Sequence, residues 1–183
     1  MTSCKQTDSP ARVYWITGLA GAGKTTLARQ LCQHLRDQGR TVVLLDGDQL
    51  RQVLGTSLGF SPQDRLVLAQ CYGRLCGLLA GQGLDVICAT ISMFHRVREW
   101  NRRHLSGYVE IYLKTTLEEL RRRDQKQLYS QNGAATTGPV LGLDTNFEEP
   151  LAPDVVLEND GSLAPEVIFT QLLHQLATMG ANP

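Results

Sequence analysis

Val13-Tyr14-Trp15-Ile16-Thr17 runs directly into Gly18-Leu19-Ala20-Gly21-Ala22-Gly23-Lys24-Thr25. The first five residues form a short apolar run rich in β-branched and aromatic types, which reads as a buried strand. The next eight match G-x-x-x-x-G-K-[ST], a pattern whose glycines let a loop close with its backbone N–H groups turned toward phosphate oxygens. From Thr25 to Gln38 the apolar residues Leu27, Leu31 and Leu35 share one helical face, and Gly39 supplies the stop. A helix there turns its positive end toward the same anions. Strand, loop and helix in this order predict that Gly18, Gly21, Ala22, Gly23, Lys24, Thr25 and Thr26 hold the phosphates of a nucleotide. Lys24 is expected to reach the β- and γ-phosphates as a mobile point charge, and the Thr25 hydroxyl to ligate Mg²⁺.

Outward from this unit, short apolar runs alternate with amphipathic segments. Strands are predicted at Thr41 to Leu45, Asp85 to Thr90, Val109 to Leu113 and Val155 to Leu157. One helix is predicted to begin at Ser61-Pro62-Gln63-Asp64, with Ser61 as cap and Pro62 in the first helical position, and to run toward Gly81. Thr115-Thr116-Leu117-Glu118 has capping-box spacing and should open a helix ending in Arg121, Arg122 and Arg123. A last helix should follow Pro165, with Val167, Ile168, Leu172, Leu173 and Leu176 apolar. The alternation predicts an α/β fold: a three-layer sandwich of the P-loop kinase type, its parallel sheet flanked by helices. Residues 1–11 read as a polar tail and 12–183 as a single domain. The aperiodic stretch of about 131–153, rich in Gly, Ala, Thr and Pro, reads as a mobile lid, since a loop this long in a compact domain usually serves function.

Composition narrows the partners. The chain has 183 residues, 42% of them hydrophobic, and 18 Lys plus Arg balance 18 Asp plus Glu. A nucleic-acid or membrane-surface binder calls for a basic excess, so neither partner is expected. No stretch approaches the roughly 20 apolar residues of a membrane span, and Met1 to Arg12 lacks a signal-peptide core. The five cysteines, Cys4, Cys32, Cys71, Cys76 and Cys88, are odd in number and include no Cys-x-x-Cys pair. They read as small buried hydrophobes of a reducing, cytoplasmic protein.

A phosphate loop alone leaves a small-molecule kinase, a GTPase switch and a non-catalytic ATP-sensing module open. The Asn-Lys-x-Asp that reads guanine is absent, and the size and the long loop favour a kinase with a lid. The second predicted strand ends in Asp46-Gly47-Asp48-Gln49-Leu50-Arg51. Ligands of open α/β sheets bind at the carboxyl ends of strands, so this segment is expected beside the phosphate loop. Asp46 is the expected Mg²⁺-linked carboxylate and Asp48 the expected proton acceptor or hydroxyl-orienting group. Arg51 and Arg65 are candidates for an anionic acceptor, with Phe60 offering a flat face for its base.

These segments resemble adenylyl-sulfate kinases. The likeness rests on Gly18 to Thr26, Asp46-Gly47-Asp48 with Arg51, and Gly59-Phe60-Ser61-Pro62-Gln63-Asp64-Arg65. It continues through Ile91-Ser92-Met93-Phe94, Arg123 to Tyr129, Gly142-Leu143-Asp144 and Pro153 to Leu157. It implies transfer of the ATP γ-phosphoryl group to the ribose 3′-hydroxyl of adenylyl sulfate, with Mg²⁺, a mobile lid, a homodimer and a role in sulfate assimilation. By position, it implies that Asp46, Asp48, Arg51, Phe60, Arg65, Ile91, Ser92 and Lys126 line the acceptor site. The family's serine matching Ser92 is sometimes treated as a phosphoserine intermediate, but in-line transfer to a bound hydroxyl needs no covalent enzyme species.

The chain also departs from the family pattern. Gln49 and Leu68 stand where the family usually has Asn, Met93 where it has Pro, and Val140 where it has a phenylalanine that sandwiches adenine against the residue matching Phe60. The ATP side is intact while the adenine-reading side is reduced, so another nucleotide such as cytidine diphosphoramidate is the rival acceptor. Arg123 is the best candidate among Arg121 to Arg123 for contacting ATP. Arg96, Arg98, Arg102 and Arg103 around Trp100 read as a solvated basic helix face or as a wall for phosphates.

Overall fold

The computed structural model describes residues 10–54, 59–123 and 147–180. In chain order the elements are β1 (Val13–Thr17), α1 (Lys24–Asp37), β2 (Val42–Asp46), α2 (Gly47–Leu54), α3 (Pro62–Ala80) and β3 (Asp85–Thr90). They continue with α4 (His95–His104), β4 (Tyr108–Lys114), α5 (Leu117–Arg123), β5 (Val155–Glu158) and α6 (Pro165–Gly180). The strands make one parallel sheet in the order β2-β3-β1-β4-β5. β1 is central and buried throughout, which is why its sequence is apolar without alternation.

Successive β1 side chains serve opposite cores. Tyr14 and Ile16 join Leu27, Leu31 and Leu35 of α1 and Ile168 and Leu172 of α6. Val13 and Trp15 join Leu68, Ala69, Tyr72 and Cys76 of α3 and Val97 of α4. Burial of each such side chain contributes roughly 1.5–3 kcal/mol, and helices cover both faces. The expected three-layer α/β architecture is therefore present.

Several local expectations shift. The segment after Asp46 is helical at once, so Asp48 lies in the first turn of α2. Ser61 caps α3 as expected, accepting from Asp64 N at 3.1 Å. The cap of α5 is Thr116, one residue later than the capping-box reading, and it accepts from Glu119 N at 3.2 Å. On α6, Val167 is exposed while Ile168 and Leu172 are buried. Cys32, Cys76 and Cys88 are buried but Cys71 is exposed, against the expectation for it. A hydrogen bond with Cys76 and burial push the Cys88 thiol well up, so it stays protonated.

The solvated-face reading of the basic cluster on α4 holds for Arg96, Arg102 and Arg103 and fails for Arg98. Arg98 is buried, with Nε 3.2 Å from Glu110 Oε1 and Nη2 donating to the Glu148 and Glu149 carbonyls. Arg102 bridges Glu110 and Asp154. Arg96, Arg102 and Arg103 are exposed, and Arg98 alone of the four arginines is buried. The ion pairs clamp α4 to β4.

Of the tail expected over residues 1–11, residues 1–9 lie outside the described residues. Pro10 O accepts from Arg40 Nη2 at 3.1 Å, so the segment entering β1 is tied to the sheet. The lid expected over 131–153 is described only from 147 onward, where Phe147 packs against the first core and Glu148 N donates to Met93 O. Among the described residues, no helix is long and apolar enough to cross a membrane.

Candidate nucleotide and acceptor site

The carboxyl ends of all five parallel strands lie along one edge of the sheet. β1 leads into the phosphate loop, β2 into Asp46-Gly47-Asp48, β3 into Ile91-Ser92, β4 into α5 with Arg123, and β5 into Asn159. Parallel topology thus gathers segments far apart in sequence.

The loop needs its glycines for space and for backbone shape. A Cβ on Gly18 would sit 2.5 Å from Leu113 O, closer than real atoms approach. Gly23 has φ +97°, a left-handed conformation costly for other residues, and immediately precedes α1. Lys24 is buried, and its Nζ donates to Leu19 O at 2.7 Å, which draws the ammonium back over the loop. Gly21, Gly23 and Thr26 line a cavity of about 350 Å³ with Gln30, Arg122, Arg123, Asn159 and Pro165. An extended chain of phosphates ending in a base fits such a cleft.

The metal-side donors also meet. Thr25 Oγ1 donates to Asp46 Oδ2 at 2.8 Å, and Asp46 Oδ1 accepts from Asp48 N at 2.9 Å. Asp46 therefore caps the start of α2 and pairs with Thr25 at once. A hydroxyl beside one carboxylate fits Mg²⁺, which takes one or two carboxylates and completes its shell with phosphates and water. Among the described residues no cluster of three or more His, Cys, Asp or Glu offers a self-contained metal cage.

On the acceptor side, Phe60 is flanked by two guanidiniums. Arg51 Cζ lies 4.5 Å and Arg65 Cζ 5.5 Å from the ring centroid. Arg51 Nη1 donates to Gly59 O at 2.8 Å and Arg65 Nε to Phe60 O at 3.0 Å, so both arginines are oriented from their stems. Burial, and then the neighbouring Arg51, lower the Arg65 pKa. The arrangement presents paired positive charge beside an aromatic face, suited to an anionic nucleotide. Ser92 is buried, its hydroxyl 2.9 Å from Thr90 Oγ1, and Ile91 is half-buried against the first core. Lys126 lies outside the described residues.

Four residues of this region escaped the sequence reading. A Cβ on Gly47 would lie 3.1 Å from Thr90 Oγ1, so Thr90 packs directly beneath the Asp46-Gly47-Asp48 turn. Tyr72 OH donates to Gly47 O at 3.4 Å, and its own pKa is pushed up to about 12, chiefly by burial. Glu119 accepts from Arg122 and from Arg123, and Arg123 Nη2 also donates to Asn159 Oδ1 at 2.9 Å. Asn159, one residue beyond β5, was findable by the same strand-end rule that singled out Asp46. Glu119, Thr90 and Tyr72 carried no motif.

Comparison with known proteins agrees with this geometry. Residues 10–158 match the family Adenylylsulphate kinase. An adenylyl-sulfate kinase of Paraburkholderia xenovorans is 39% identical over 169 residues, covering 92% of this chain and 94% of the relative. A cytidine diphosphoramidate kinase of Campylobacter jejuni is also 39% identical, over 147 residues, with 80% and 85% covered. The Mycobacterium tuberculosis APS kinase solved with AMPPNP and APS superimposes with a TM-score of 0.81 at 29% identity, covering 92% of this chain and 99% of that one. A phosphate loop facing paired carboxylates, on a parallel sheet of this order, comes with a family match over most of the chain, and the chain belongs to the adenylylsulphate kinase family of ATP-binding kinases.

Proposed function

We propose that the protein transfers the γ-phosphoryl group of ATP to the ribose 3′-hydroxyl of adenylyl sulfate, giving 3′-phosphoadenylyl sulfate and ADP. The observation that carries the reading is the Thr25–Asp46 hydrogen bond, which joins the phosphate loop to the carboxylates beside the Arg51–Phe60–Arg65 cluster. Donor and acceptor sites thereby share an edge. The backbone amides of Gly21 and Gly23 and the Lys24 ammonium hold the β- and γ-phosphates. Mg²⁺, held by Thr25 and Asp46, would neutralise charge on those phosphates. Asp48 orients the acceptor hydroxyl and takes its proton as the oxygen bonds to phosphorus and the β–γ bridging oxygen leaves with ADP. Arg51 and Arg65, with Lys126, bind the acceptor's anionic group, Phe60 stacks its base, and Ile91 and Ser92 complete the acceptor wall. Arg123 contacts the donor nucleotide.

A second reading takes cytidine diphosphoramidate as acceptor. Leu68 favours it: this side chain is 2% exposed and packed in the second core, so it offers no polar group to adenine. A pyrimidine also asks less of the aromatic face at Phe60, and a relative of equal identity is named for that substrate. The test is kcat/KM for both nucleotides with saturating MgATP, the product identified by phosphorus NMR. A value for adenylyl sulfate a hundredfold below that of the cytidine compound reverses the assignment, and no acceptor-dependent ADP release from either removes the kinase reading. A homodimer in the cytoplasm completes the proposal, supported by the family resemblance. Sedimentation equilibrium tests the assembly.

A further inference from the structure

We propose that Asn159 is a positioning residue for the donor nucleotide: it sets the Ala22–Gly23 peptide of the phosphate loop and locks that peptide to Arg123. The inference rests on the reading of this cleft as the ATP site. It concerns a residue that follows β5 and belongs to no motif of the loop.

The geometry is fully determined by chemistry. Asn159 N donates to Lys114 O at 2.8 Å, which fixes its backbone against the end of β4. Its Nδ2 donates to Ala22 O at 2.8 Å, and its Oδ1 accepts from Arg123 Nη2 at 2.9 Å. The same guanidinium nitrogen reaches Asn159 O at 3.2 Å, and Arg123 Nε donates to Glu119 Oε1 at 2.5 Å. A carbonyl can only accept and a guanidinium can only donate, so the orientation of the Asn159 amide is dictated by its two neighbours. No other side chain of this length offers a donor to one and an acceptor to the other. An aspartate loses the donor, and a leucine loses both.

The consequence for the loop follows from peptide planarity. In a trans peptide the C=O and the following N–H point in opposite directions. Drawing Ala22 O toward Asn159 therefore turns Gly23 N–H away from it. Gly23 N–H is one of the donors that a phosphate loop offers its ligand, and it stands immediately before the N-terminus of α1. Gly23 also leaves the room for this contact, since a Cβ there would lie 3.1 Å from Asn159 Nδ2. Asn159, Arg123, Gly21 and Gly23 all line the same cavity. The phosphate end and the arginine end of the cleft are thus one hydrogen-bonded unit, pre-organised before a nucleotide arrives.

The test uses the full chain with Asn159→Asp and Asn159→Leu. Asn159→Asp keeps the acceptor for Arg123 and sets an oxygen against Ala22 O; Asn159→Leu is neutral, so a loss common to both does not come from added charge. Calorimetric titration with MgAMPPNP should give a Kd at least tenfold weaker for each variant, with the KM for the acceptor within twofold of wild type. The Gly23 amide resonance, in glycine-labelled protein, should shift on AMPPNP addition in wild type and move less than half as far in Asn159→Asp. A merely structural tie lowers the thermal midpoint while leaving the AMPPNP Kd within twofold, and that result overturns the proposal. If Asn159→Leu does not fold, the Asn159→Asp data decide alone. A wild-type protein that binds no MgAMPPNP overturns the ATP-site reading itself, whereas wild-type binding with unchanged variants overturns only the role of Asn159.

Discussion

Thr25 Oγ1 donates to Asp46 Oδ2 at 2.8 Å across 21 residues of sequence. The bond spans the gap between the loop after β1 and the turn after β2, although β1 and β2 are not neighbours in the sheet; β3 lies between them. The two segments meet because both strands run the same way and end at the same edge. On the proposed function, this brings the phosphate that the first would hold and the hydroxyl that the second would orient within one site.

Lys24 is the loop's single fixed ammonium, buried with Nζ 2.7 Å from Leu19 O. Charge on the transferring phosphoryl group is best stabilised by a donor already in place. Lys24→Ala should lower kcat by about a hundredfold or more in steady-state assays. Activity within tenfold of wild type would remove Lys24 from the transition state.

Asp48 lies in the first turn of α2, its N–H held by Asp46. If it takes the proton of the acceptor hydroxyl, Asp48→Asn should depress kcat far more than it raises the acceptor's KM. A change confined to KM would make Asp48 a binding residue.

The fold was legible because each strand carries its own apolar run and the phosphate loop fixes the first strand–helix unit. Asp46 and Asp48 were legible for a topological reason: they follow a strand, and parallel strands end together. Arg98 was misread because four arginines on one short helix resemble a solvated face. Only the sheet reveals that Glu110, on an interior strand, turns toward that helix. Asn159 and Glu119 were missed because their partners lie 137 residues away at Ala22 and within a basic turn that draws attention to the arginines instead.

Arg98 and Glu110 are both 4% exposed in their side chains and 3.2 Å apart. Burial lowers the pKa of Arg98 and raises that of Glu110, so holding both charges costs desolvation that their pairing offsets. Arg98→Met leaves Glu110 with Arg102 as its remaining cation and the Glu148 and Glu149 carbonyls without their donor, at a cost of up to about 3–5 kcal/mol. Arg98→Met should lose stability of that order in urea unfolding while the KM values for ATP and acceptor stay within twofold. Unchanged stability with a raised KM would restore the phosphate-wall reading.

Glu119 has its pKa held down to about 2 by hydrogen bonds from Arg122 first and Arg123 second. A carboxyl whose folded pKa is depressed adds stability that is fully present above its unfolded pKa and is lost as pH falls through the folded one. Its contribution should therefore disappear between about pH 4.5 and about pH 2. Glu119→Gln should be less stable than wild type at pH 7, and the gap should narrow across that acid window. A gap that is constant from pH 7 to pH 2 would show that ionisation of Glu119 contributes nothing.

The resemblance to adenylyl-sulfate kinases implies an asparagine that assists the acceptor at the position of Leu68, so Leu68→Asn is the natural attempt to restore adenine recognition. The packing of this chain argues for a different result. Leu68 is 2% exposed on α3, in the same core as Leu50, Tyr72 and Trp15. An amide there gives up the leucine's apolar burial and sets a donor and an acceptor among hydrocarbon neighbours. Lost transfer energy and an unsatisfied polar group together cost about 2–5 kcal/mol. Leu68→Asn should therefore lower the unfolding free energy measured in urea by that amount and leave the KM for adenylyl sulfate no better than wild type. Full stability with a lower KM would mean that α3 turns this position toward the acceptor, and the reduced adenine site inferred from Leu68 would then be wrong.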